Sequence, residues 1–188
     1  RILNQELRDQ FPLSVWQTGS GTQTNMNLNE VITTLGNLHA GRDILHPNDV
    51  VNASQSSNDT FPSALHIMAV LEVTGKLLPA LDAMIDCLRD LEKKNAGIIK
   101  IGRTHLQDAT PLYLSGEISG WRSMIEHARR QILDTLPYLR ELAIGATAVG
   151  SGINCPAGFD QVFCDILNRE TGESFRPDPN KYHALTSK

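Results

Sequence analysis

The chain has 188 residues, a net charge of −4, and 20% charged against 40% hydrophobic residues. That is ordinary globular composition, long enough to bury a sizeable core. The lack of any dense Lys/Arg block argues against nucleic acid or an anionic membrane surface as a main partner. No apolar run approaches the roughly 20 residues that span a bilayer. The chain begins at Arg1 rather than Met and shows no signal peptide. Residues are therefore expected to be missing in front, which leaves room for a removed targeting segment. Cys87, Cys155 and Cys164 have no metal-type spacing and read as free thiols in a reducing compartment.

In chain order, the first notable stretch is WQTGSGTQTNMNLNEV, residues 16–31. Thr18, Ser20, Thr22 and Thr24 bring hydroxyls and Asn25, Asn27 and Asn29 bring amides, with no charge before Glu30. It leads into a helix expected from Asn25 to Ala40, with Leu28, Ile32, Leu35 and Leu38 on one face. A second polar cluster, HPNDVVNASQSSNDTFP (46–62), precedes the first long helix. Asn58, Asp59 or Thr60 is expected to cap that helix, and Pro62 suits its first turn. Leu77, Leu81, Met84, Leu88 and Leu91 form its heptad-like seam.

Further on, IIKIGR (98–103) reads as a short extended piece. The third polar cluster, GRTHLQDATP (102–111), reads as a loop entering the second long helix, with Pro111 near the helix start. Ile118, Trp121, Ile125, Ala128, Ile132, Leu136 and Leu139 mark that helix. Pro79 and Pro137 should kink the two rods or break them. At about 30 residues each, the rods would be roughly 45 Å long and need more partners than this chain supplies. Gly145, Gly150 and Gly152 in IGATAVGSGIN punctuate the end of the second rod.

Each polar cluster thus stands in front of a helix. Helix N-termini present free N–H groups and the positive end of the dipole, which favour anions. Hydroxyl and amide donors added there suit carboxylates without a large positive charge. The plainer alternative is that Ser, Thr and Asn are simply caps. Of the histidines, His39, His66 and His127 fall within helical patterns as surface or packing residues, and His183 lies in a polar tail. His105 differs: flanked by Thr104, Gln107 and Asp108, it has a place where a general acid or base is usable near neutral pH. His46, before Pro47, equally reads as a turn residue. No His-x-His or Cys-x-x-Cys pair marks a metal site, and no nucleophile elbow or phosphate loop occurs.

WQTGSGTQTNMNLNEV, HPNDVVNASQSSND, GRTHLQDATPL and ATAVGSGIN together resemble the class II fumarases of the fumarase/aspartase superfamily, in the family's order and over essentially the whole chain. The resemblance implies a mainly α fold, a long-helix bundle forming the core of a homotetramer. Residues 1–58 would be the remainder of an N-terminal lyase domain and 59–188 the first part of the central bundle. It implies reversible hydration of fumarate to L-malate with no cofactor and no metal, in the cytoplasm or the mitochondrial matrix. The expected partners are fumarate or L-malate and further copies of the chain, which share active sites, with no nucleic acid and no membrane. Ser20, Gly21 and Thr22 would hold one substrate carboxylate, as would Ser56, Ser57 and Asn58, with help from Thr104. His105 would handle the water proton. His46, Pro47, Asn48 and Asp49 match a second, non-catalytic dicarboxylate site.

Aspartases resemble this pattern but typically carry Gln at the place of His105 and Asn at that of His46. An aspartate ammonia lyase is therefore the enzymatic alternative, and a non-catalytic structural or oligomerisation fragment the other. The family's flexible Gly-Ser-Ser-x-Met-Pro-x-Lys-x-Asn loop, source of a catalytic serine and a substrate-binding lysine, is absent before the chain stops at Lys188. The chain is therefore expected to be a piece truncated at both ends, and inactive alone.

Overall fold

A computed structural model describes residues 1–17 and 19–186; Thr18, Ser187 and Lys188 lie outside the described residues. The architecture is mainly helical, in chain order α1 (Thr22–Ala40), α2 (Ser57–Glu72), α3 (Leu78–Lys94), a β-hairpin, α4 (Leu114–Leu139), α5 (Phe159–Thr171) and α6 (Lys181–Thr186). The hairpin strands are β1 (Ile99–Thr104) and β2 (Gln107–Tyr113). Two short parallel pieces, β3 (Glu141–Leu142) and β4 (Arg176–Pro177), complete the set. The chain divides into two compact units, one of residues 1–68 with 139–188 and one of residues 69–138.

In the second unit, α3 and α4 pack antiparallel, as their ion pairs show. Arg122 meets Glu92 at 2.9 Å, and Arg129 meets Asp82 at 2.6 Å. Inward from these pairs Leu78, Ile85, Ile118 and Leu136 are buried. The expected α4 seam is largely the inward face, though Trp121 remains 48% exposed. The expected α3 seam is corrected. Leu81 and Leu88 are partly covered, but Leu77, Met84 and Leu91 are exposed, and Leu78 and Ile85 take the buried places. The helix carries two adjacent apolar stripes, and only one faces α4.

Pro79 does mark an irregularity. A one-turn π segment, Val73–Leu77, joins α2 to α3 and closes with the Leu78 N–H on the Val73 carbonyl. The widened turn falls directly ahead of Pro79, which has no N–H to give the helix ladder. Pro137 instead sits in the last turn of α4, where the helix ends within two residues. The run 57–94 is helical throughout and holds an 18-residue window of mean hydropathy 1.4, with 11% of the window buried. By length and composition it is long and apolar enough to cross a membrane. No contiguous apolar run of that length occurs, because polar and charged residues such as His66, Glu72 and Lys76 interrupt it, while the window average remains apolar.

In the first unit, α1 starts at Thr22, three residues earlier than expected. Its buried residues are Asn29 and Val31, while Leu28 and Leu38 of the expected apolar face are exposed. The core of this unit is the non-helical segment 142–147, where Leu142, Ala143, Ile144, Ala146 and Thr147 are all buried. Buried irregular backbone must place its polar groups, and this segment does. The Leu142 carbonyl accepts the Asp178 N–H, Ala146 carbonyl accepts the Gly150 and Gly152 N–H groups, and Ile144 carbonyl accepts Lys181 Nζ at 2.9 Å.

Lys181 Nζ also meets Asp160 Oδ2 at 2.8 Å, both side chains largely covered. Burial alone would push the Asp160 carboxyl up, but the hydrogen bond and charge of Lys181 hold it below the ordinary value of 3.8. A depressed acid stabilises the fold above its unfolded pKa and loses that contribution as pH falls through the folded value. Lys181→Met should therefore cost about 1–3 kcal/mol at neutral pH. The gap from the parent should narrow on acidification below the ordinary carboxylate value, leaving the pH-independent share of the bond to the Ile144 carbonyl, as read by denaturant unfolding across pH.

Candidate functional site

Ser56 stands just before α2, and its Oγ accepts the Asn58 N–H at 3.2 Å. The Asp59 carboxylate reaches back to the Ser56 N–H at 2.9 Å. These two bonds make Ser56-x-x-Asp59 a capping box. The cap is thus Ser56, not Asn58, Asp59 or Thr60 as expected, and Asp59 acts from the third helical position. Asn58 Nδ2 donates to the Ala148 carbonyl at 2.8 Å.

Ser57 belongs to a side-chain network. Asn25 Nδ2 donates to Ser57 Oγ and to Asn52 Oδ1, both at 3.1 Å, and Asn29 Nδ2 donates to Asn52 Oδ1 at 3.0 Å. Thr60 Oγ1 donates to Asn25 Oδ1 at 3.1 Å. Amides of the first polar cluster therefore hold hydroxyls of the second. Sequence reasoning missed Asn25 and Asn52 as organisers, because their partners lie 32 and 27 residues away from Asn25 and only the packing of α1 against 47–57 brings them together.

Gly21 caps α1 with φ 72, a left-handed conformation. A Cβ there would collide with the Phe61 ring, so glycine is required on both counts. Ser20 Oγ and Thr22 Oγ1 lie 3.4 Å apart on either side of it. His46 sits before the short π turn Pro47–Val51. Its Nδ1 accepts the Asp49 N–H at 3.3 Å and lies 3.1 Å from Asp49 Oδ2. The reading of His46 as a turn residue describes that geometry.

A cleft of about 580 Å³ is lined by Asn48, Asp49, Asn52, Ser56, Ser57 and Thr147, among others. It brings residues of both expected carboxylate sites to one opening beside the N-terminus of α2. Among the described residues, no group of three or more His, Cys, Asp or Glu side chains is placed to hold a metal.

Thr104 and His105 lie in the other compact unit. The expectation that His105 sits in a loop entering a helix is corrected. Thr104 pairs with Gln107 across an antiparallel hairpin, and His105 and Leu106 are its two-residue turn. Their φ values are 47 and 64, the positive pair that a type I′ turn demands. Neither residue is glycine, so the turn holds its backbone in a sparsely populated region, which for Leu106 is a genuine strain. Such strain presents His105 exposed at the hairpin tip. Pro111 falls within β2 opposite Ile101 rather than at a helix start. A two-stranded ribbon tolerates it because the strand has a free edge.

The whole chain, residues 1–188, matches the sequence pattern of the family described as Lyase. The chain belongs to that lyase family. Among its relatives are the class II fumarate hydratases of Helicobacter pylori strain J99, 53% identical over 191 aligned positions, and of Bacillus subtilis, 51% identical over 190. Each alignment takes in 99% of this chain and 41% of the relative, so the chain spans about two fifths of their length. The structure is similar to that of recombinant class II fumarase from Schistosoma mansoni, with TM-score 0.87 and 42% identity over 94% of this chain and 41% of that one. It is also similar to the cobalt-bound fumarate lyase:delta crystallin of Brucella melitensis, with TM-score 0.86 and 33% identity over 98% of this chain and 41% of that one.

Proposed function

We propose that these 188 residues act within a protein of the relatives' full length, hydrating fumarate reversibly to L-malate. The observation that carries the reading is the cleft at the α2 N-terminus, in a chain that resembles class II fumarate hydratases from end to end. Residues 1–58 would close an N-terminal domain and 59–188 open a central helical one. The apolar run 57–94 then serves as a bundle helix rather than a membrane span, and its α3 charges, paired with α4, support that use.

In this reading, Ser56, Ser57 and Asn58, with Ser20, Gly21 and Thr22, bind the carboxylates of the substrate, helped by Thr104. Removing the C3 proton of malate leaves a carbanion whose charge spreads onto the adjacent carboxylate. Donors held in place beforehand stabilise that extra charge more than they stabilise the ground state. His105 moves the proton of the water at the hydroxyl-bearing carbon. The assembly is a homotetramer, and His105 of one chain works with the Ser57 cleft of another. His46, Pro47, Asn48 and Asp49 bind a second dicarboxylate without catalysing. No metal or other cofactor enters these steps, and the protein works in the cytoplasm or, in a eukaryote, the mitochondrial matrix.

The test is fumarate absorbance with the full-length protein, run beside an ammonia assay on aspartate. Fumarate and malate should interconvert with no ammonia released. Ammonia release from aspartate would move the assignment to the ammonia lyases, and silence in both assays to a structural protein.

A further inference from the structure

We propose that Asp59 is a positioning residue, whose buried carboxylate holds the α2 N-terminus and the 145–147 segment at the one spacing where their groups face the cleft. The inference rests on reading that cleft as a carboxylate site. Asp59 has no exposed surface. Its carboxylate accepts the Ser56 N–H at 2.9 Å and the Thr147 N–H at 2.7 Å. Burial raises the carboxyl above its ordinary value of 3.8, and these backbone donors offset only part of that rise.

A capping box needs only the first of those bonds. The other reaches a segment nearly ninety residues away along the chain. That segment is unusual. Gly145 has φ 84 and Thr147 has φ 57, a left-handed conformation that a β-branched residue rarely adopts. Thr147 Oγ1 is buried with no hydrogen-bond partner among the described residues, so its side chain returns nothing to offset the strain. Strained backbone persists only where its surroundings over-determine it, and here the Asp59 carboxylate does so. Ser56 and Ser57 from the α2 N-terminus and Thr147 and Ala148 from the distant segment all line the cleft. The carboxylate that joins them therefore sets the cleft's width.

A positioning role separates from a merely structural one in the kinetics. Losing a structural residue lowers the folded fraction, so apparent kcat falls and KM stays. Losing a positioning residue misplaces donors in molecules that remain folded, so KM rises. Asp59→Asn in the full-length protein keeps the shape but turns an amide N–H toward a backbone N–H. Misplacements near 1 Å cost up to about 10²-fold. The KM for fumarate and the inhibition constant of succinate should both rise about 10-fold or more in the folded fraction. Values within about twofold of the parent, in a parent that is active, overturn the role of Asp59 and leave the cleft reading standing.

Should Asp59→Asn not fold, hydrogen exchange on the parent decides. The amide of Thr147 should be protected and should slow further with saturating succinate; exchange indifferent to succinate overturns the proposal. A parent that neither turns over fumarate nor binds succinate takes down both the cleft reading and the role of Asp59.

Discussion

His105→Asn in the full-length protein should lower kcat by about 10²–10⁴-fold with little change in KM, the loss expected when a general acid or base is removed. The turn makes this substitution unusually clean. His105 has φ 47, and Asn is among the residues that best tolerate the left-handed region. The hairpin tip should therefore keep its shape, and the lost rate should report lost proton transfer rather than a collapsed turn. Steady-state kinetics measure it, and an unchanged kcat removes His105 from the mechanism. His46→Asn makes the contrast. His46 accepts the Asp49 N–H ahead of a π turn, and Asn is a good cap, so turnover should stay nearly intact.

Residues 1–188 alone should show no measurable fumarate hydration. Their donors can bind a carboxylate, but the serine and lysine expected from the family's flexible loop are not among them. Groups that act as a catalytic unit are strongly non-additive, so part of a site does not give part of the rate. The second unit also exposes Leu77, Met84, Leu91, Trp121 and Met124. Apolar seams of this kind promote self-association. Fumarate absorbance with purified 1–188, free of host enzyme, is the measurement. Activity in it makes the loop dispensable and contradicts the mechanism. Activity that appears only on mixing with a separately made C-terminal piece supports a site shared between segments.

The long helices were legible because their apolar residues recur at three and four. Which stripe of α3 turns inward was not, since Leu77 and Leu78 are equally apolar and only α4 chooses between them. The hairpin was hidden because His105-Leu106 carries none of the Asn-Gly chemistry of a two-residue turn, and β2 contains Asp108 and Pro111. Ser56, Ser57 and Asn58 stood out as a polar group before a helix. Asp59 read as a cap, and the Ser56-x-x-Asp59 spacing was the available signal for its true place in that cap. Its bond to Thr147 has no local signature, because the two residues are joined only by the fold.

If active sites are shared between copies of the chain, the Ser57 cleft of one works with His105 of another. Co-assembly of two inactive full-length variants tests it most directly, one carrying His105→Asn and the other Ser56→Ala with Ser57→Ala. In mixed assemblies some sites draw a native cleft from the first variant and a native His105 from the second. Fumarate hydration well above the sum of the two variants measured apart is the expected result. Activity no greater than that sum, in assemblies shown to contain both chains, contradicts it.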